Sequence, residues 1–169
     1  MTNKTTIKPI KLEFRPVGSL ATVQYTTVMG VSNDMALNQD KPDTTDIKGE
    51  FYTSPFKTIY DNKPVTLSFT LVNYALSDLP AMLGGTYTAA TTTDPEKYTP
   101  ADNASPIELE WKITYQQGNN GVIIYRGATS AALTGANKAA LGYAITITAL
   151  TPDSGTGMYS IIGDPKTGA

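Results

Sequence analysis

Two stretches of the chain alternate between apolar and polar residues with the period of a strand. Val65, Leu67, Phe69 and Leu71 fall on one side, and Thr66, Ser68 and Thr70 on the other. Further on, Ile107, Leu109, Trp111, Ile113 and Tyr115 alternate with Glu108, Glu110, Lys112 and Thr114. Each pattern predicts a strand with one dry face, so Leu109, Trp111 and Ile113 are expected in the core, with Glu108 and Glu110 pointing away from it. Other runs rich in Val, Ile, Thr and Tyr predict strands at 20–31, at 50–60 with an interruption or edge position at Pro55, and at 144–150. Between Tyr115 and VIIYRG, the run QGNNG predicts a hairpin, because Asn and Gly tolerate the positive φ of such turns. The Ala-rich run ATSAALTGANKAALG that follows would also allow a helix, but Gly127, Gly135 and Gly142 favour a strand and a turn.

One helix is expected, at 77–85. Ser77 is its candidate cap, Pro80 sits in the first turn, and Gly84 or Gly85 ends it. The remaining segments lack apolar periodicity. Residues 1–19, broken by Pro9 and Pro16, predict an extended arm that needs a surface to lie on. Residues 32–50 and 86–106 predict long polar loops, and 153–169 a loop and tail. The sum is an all-β fold with one short helix, in a single domain over residues 1–169.

Composition narrows the chemistry sharply. Histidine and cysteine are absent, which removes imidazole bases, thiol nucleophiles, Ser-His-Asp triads and nearly every zinc site. Glu108 and Glu110 could be a carboxylate pair for glycoside hydrolysis, but their setting beside Lys112 reads as a charged strand face. The acidic residues Asp34, Asp40, Asp43 and Asp46 lack the D-x-D-x-D spacing and glycine of a calcium loop. The run GTG at 155–157 opens no helix and reads as a turn. No enzyme activity, cofactor or metal is therefore expected. Net charge is −2, so no field for holding nucleic acid is expected either. There is no apolar run long enough for a signal peptide or a membrane span, which predicts a soluble chain, unless it is processed from a longer precursor, without membrane insertion.

The order of these features carries a resemblance. LSFTLVNYALSDLPAMLGGTY, then a Pro-bearing loop, IELEWKITYQ, VIIYRGATSAAL and NKAALGYAITITALTP, over roughly residues 20–152, resembles the phage major tail tube proteins. The same fold serves the tubes of type VI secretion systems. That resemblance implies a β-sandwich or barrel with long extended loops, assembling with itself into hexameric rings. The rings stack into a virion tail tube, built in the host cytoplasm with other tail proteins, through which DNA passes without being held. On that reading Glu108, Glu110 and Lys112 are candidates to face the lumen. The alternatives are a tube subunit of a secretion-type or other contractile system, a β-rich adhesin or pilin, and a carbohydrate-directed module using Trp111 and the tyrosines.

Charge also suggests where subunits meet. Residues 1–15 carry Lys4, Lys8, Lys11 and Arg15 against Glu13, whereas residues 32–61 carry Asp34, Asp40, Asp43, Asp46, Glu50 and Asp61 against three lysines. Opposite charge favours arm-to-loop contact between subunits, with Ile7, Ile10 and Ile47 as apolar anchors beside Lys4, Lys8, Lys11, Asp40, Asp43 and Asp46.

Overall fold

The computed structural model describes residues 9–32, 34–48, 54, 57–101, 106–115, 120–135, 141–155 and 157–163. They form an all-β fold with one short helix. The strands are β1 (Pro9–Pro16), β2 (Thr26–Thr27), β3 (Ala36–Gln39), β4 (Asp43–Ile47), β5 (Lys57–Asp61) and β6 (Val65–Leu71). After the helix α1 (Leu79–Leu83) come β7 (Thr86–Thr88), β8 (Lys97–Thr99), β9 (Ile107–Tyr115), β10 (Gly121–Thr134), β11 (Gly142–Ala149) and β12 (Tyr159–Ile162). One antiparallel sheet runs β2-β1-β9-β10-β11-β6-β3, with β12 added to β10. Its two ends meet through the segment 26–32. That segment bonds to β1 at one end (Val28 N to Leu12 O, 2.8 Å) and to β6 at the other (Ser32 N to Thr70 O, 2.8 Å; Val72 N to Gly30 O, 2.9 Å). Gly30 is required where this segment crosses Asn73, because its φ is 76° and a Cβ there would lie 1.8 Å from the Asn73 carbonyl oxygen.

The closed sheet surrounds one core. Val65, Leu67, Phe69 and Leu71 of β6 are all buried, as are Leu109, Trp111 and Ile113 of β9, so both alternations place their apolar sides as the pattern dictates. Trp111, 0% exposed, is the centre, with the Phe14 and Phe69 rings 5.5 and 6.1 Å away in tilted and edge-on contact. β10 is one long strand that takes in the Ala-rich run as far as Thr134, while residues 136–140 of that run lie outside the described residues. It shifts register against β9 between Ile124 and Gly127, and the absent Gly127 side chain leaves room for Trp111 and Ile147. From α1, Leu79 and Met82, one helical turn apart, plug the core. Pro80 sits in the first turn, and Gly84 at φ 73° ends the helix, where the Tyr98 hydroxyl donates to the Gly84 carbonyl at 2.7 Å.

Several expectations are corrected. Ser77 does not cap α1: it lies in a 3₁₀ turn (Leu76–Asp78) preceding the helix, and Asp78 holds the cap position without a side-chain bond. Pro9–Pro16 is not a free arm but a strand inside the sheet, since Leu12 and Phe14 alternate into the core while Lys11, Glu13 and Arg15 face out. Only Thr26–Thr27 and the Val31 bridge form sheet within 20–31, because the chain reverses after β1, with Gly18 at φ 71° and a turn closed from Val23 N to Leu20 O at 2.9 Å. The expected loops at 32–50 and 86–106 contain β3, β4, β7 and β8, and the expected tail contains β12, all held by main-chain pairing that needs no apolar period. Of the strand expected at 50–60, Ser54 and Lys57–Tyr60 are described, with strand only from Lys57, and its Pro55 interruption lies outside the described residues. β9 and β10 pair as the hairpin requires (Thr114 with Gly121), while residues 116–119 of its turn also lie outside them.

Candidate assembly surfaces

The outer face of β1 and β9 is charged, and its carboxylates are already paired. Arg15 lies opposite Glu110 in the ladder, and one carboxylate oxygen of Glu110 accepts from Arg15 Nε at 3.0 Å, from Arg15 Nη2 at 2.8 Å and from the Tyr25 hydroxyl. The Arg15 guanidinium also lies 4.4 Å from the Tyr25 ring centre and donates to the Val23 carbonyl at 3.1 Å, so it fixes the strap 17–25 over this face. Glu110 does point away from the core, but the expectation that it faces solvent or a lumen is corrected. It is 6% exposed, because the strap, which the strand pattern cannot reveal, covers it. Burial first, and then the bond to Glu110, pushes the Tyr25 phenol well above its usual range. Lys112 is half-buried with its ammonium 5.4 Å from the Tyr25 ring, and Glu108 is exposed and held by Arg126 at 2.6 and 3.1 Å. Glu108 and Glu110 are thus each committed to a different arginine and do not converge as an acid-base pair.

A second surface is the ribbon β4–β5. Its strands pair from Asp43 with Asp61 to Ile47 with Lys57, in a sheet of their own. Both sides of it meet solvent: Asp43, Thr44, Thr45 and Asp46 are exposed, as are Ile59 and Tyr60, which point to opposite faces. Asp46 accepts from the Thr58 hydroxyl at 2.7 Å, Asp43 pairs with Lys63 at the base of the ribbon, and Asp40 is exposed in the turn before β4. Ile47 is half-buried. Of the basic partners expected for this ribbon, Lys11 lies on β1 and is paired with Glu13 at 2.6 Å. Ile10 is a β1 residue whose side chain lies outside the described residues, as do Lys4, Ile7 and Lys8 altogether.

The third surface was not foreseen. Leu133 on β10 and Ile161 on β12 are 62% and 77% exposed although both belong to strands of the main sheet. The signal for Leu133 was present, because the β10 alternation extends through Ala131 to it. Ile161 sits in a run too short to show a period.

No protein-family model and no curated protein matches this chain. Among the described residues, no cluster of three or more acidic, histidine or cysteine side chains could hold a metal ion, and no helix is long and apolar enough to cross a membrane.

Proposed function

We propose that the chain is a structural subunit that assembles with itself into rings stacked as a tube, of the kind through which a phage tail delivers DNA. The observation that carries this reading is the β4–β5 ribbon. A two-stranded ribbon with solvent on both sides has no core of its own and is marginal in isolation, so its length is accounted for when a neighbouring subunit covers it. The order of strands and helix that resembles tail tube proteins supports the same reading, and with it a hexameric ring, a place in the virion tail and assembly in the host cytoplasm. Commitment of Glu108 and Glu110 to separate arginines supports a binding rather than a catalytic role. Of the lumen candidates, Glu108 and Lys112 remain, whereas Glu110 is withdrawn beneath the strap. Negative-stain microscopy over a rising protein concentration tests the proposal. Rings with a central channel, or tubes, are expected, and a monomer by light scattering at every concentration overturns it.

A further inference from the structure

β10 outruns the strand beside it. Its residues Gly127, Ala128 and Thr129 pair with Leu109, Glu108 and Ile107, where β9 begins, while β11 continues alongside as far as Thr134. On the flank away from β11, Ser130–Thr134 therefore has no strand partner among the described residues. Ala131 lies opposite the buried Ile145 and Leu133 opposite Tyr143, and opposed residues share a face. Leu133 thus belongs to the core side of the sheet and is nevertheless exposed. It borders an apolar cleft of about 370 Å³ with Leu83, Pro100, Pro106 and Ile107, in which the Thr129 hydroxyl is buried without a hydrogen-bond partner among the described residues.

β12 repeats the situation at the other end. Among the described residues it pairs on one flank only, with Gly121–Ile124 of β10, and Ile161 lies opposite the core residue Val122, so it too is a core-side residue left in solvent. The two edges, open among the described residues, match in three respects. First, neither 127–135 nor 157–163 contains a charge or a proline, the usual means by which an edge is protected from pairing. Second, β12 spans 4 residues, close to the length of the open flank. Third, β12 occupies the side of β10 away from β9, whereas the open flank is on the β9 side. Edges facing opposite ways join copies head to tail, the arrangement that closes into a ring.

We infer that β12 of one copy pairs with Ser130–Thr134 of the next. The main-chain bonds of the two edges are then completed, and Ile161 comes to rest beside Ala131 or Leu133 on the core side of the joined sheet, over the cleft. This is the lateral contact within the ring proposed above, and it rests on that reading for its setting. The chain has no cysteine, so introduced thiols report contacts without interference. Ile161→Cys protein is mixed with Leu133→Cys or Ala131→Cys protein at concentrations where the parent chain assembles, and oxidised. A disulfide-linked dimer is expected in at least one mixture and not in any variant alone, nor with Ala132→Cys, which faces the other side of the sheet. Leu133→Lys, at an exposed position, is expected to keep its circular dichroism spectrum and elute as a monomer. Rings that form without any of these cross-links, or from Leu133→Lys protein, overturn the pairing and leave the tube reading standing. A parent chain that stays monomeric overturns both.

Discussion

At the scale of single residues, the fold depends on what is missing as much as on what is present. The Trp111 ring can occupy the centre of the core only because position 127 has no side chain. A Cβ there would lie 2.5 Å from Ile147 Cγ2 and 2.9 Å from Trp111 Cδ1. Neither neighbour can yield cheaply, since Trp111 and Ile147 are fully buried and packed on all sides. Gly127→Ala is therefore expected to destabilise the subunit by about 1–3 kcal/mol through overpacking, despite the usual gain from replacing glycine. Urea unfolding followed by Trp111 fluorescence measures it, and an unchanged midpoint contradicts the packing described. The glycine was visible in the sequence, but its meaning was not, because the clash is with residues 16 and 20 positions away that only the folded sheet brings together. Glu110 shows the same limit from the other side: alternation placed it correctly on the face opposite Trp111, and the strap that buries it comes from a different segment.

At the scale of elements, legibility followed the dryness of one face. β6, β9 and β11 each bury one side, so their period of two is written in the residues, and β1 carries the same signal in KLEFR, obscured by the prolines that bound it. β3, β4, β8 and β12 are short and have no fully buried residue, and what holds them is main-chain pairing and local polar anchors, which leave no hydrophobic period. Asp34 is such an anchor, tying the entry to β3 onto β6: its carboxylate accepts from the Ser32 hydroxyl and from Thr70, through Oγ1 at 2.7 Å and the backbone N at 3.2 Å. These bonds, that from Ser32 first, hold its carboxyl below the usual aspartate range. A depressed value means that the folded state favours the ionised form, so the stabilisation is present above the ordinary aspartate value of about 4 and is lost as pH falls through the depressed one. Asp34→Asn should accordingly cost less than about 1 kcal/mol at pH 7, the group being exposed. It should also flatten the fall in stability between about pH 5 and 2 relative to the parent chain. Parallel acid dependences of the two proteins in urea titrations contradict the anchor.

At the scale of the whole molecule, the ribbon and the barrel are separable. β3 and β6 are adjacent antiparallel strands, with Gln39 opposite Val65, so β4 and β5 are inserted where a simple turn would complete the hairpin. Among the described residues the core draws nothing from the ribbon, because every buried residue of the cluster lies outside 40–62. The insertion instead adds acidic residues, Ile59 and Tyr60 to a surface that the subunit alone leaves in water. Its charges, being exposed and screened over about 8 Å at physiological salt, can set the register of a contact, and its apolar side chains can hold it. If the ribbon joins one ring to the next while the β10 and β12 edges close each ring, then the two kinds of contact can be lost independently. Replacing residues 40–62 by a two-residue Asn-Gly turn, the length that suits a hairpin, should leave a folded subunit melting within about 4 °C of the parent. That protein should form single rings by electron microscopy and no tubes at any concentration. Tubes of normal length from the shortened chain would remove the ribbon from the stacking contact, and loss of rings as well as tubes would show that it also takes part in closing them.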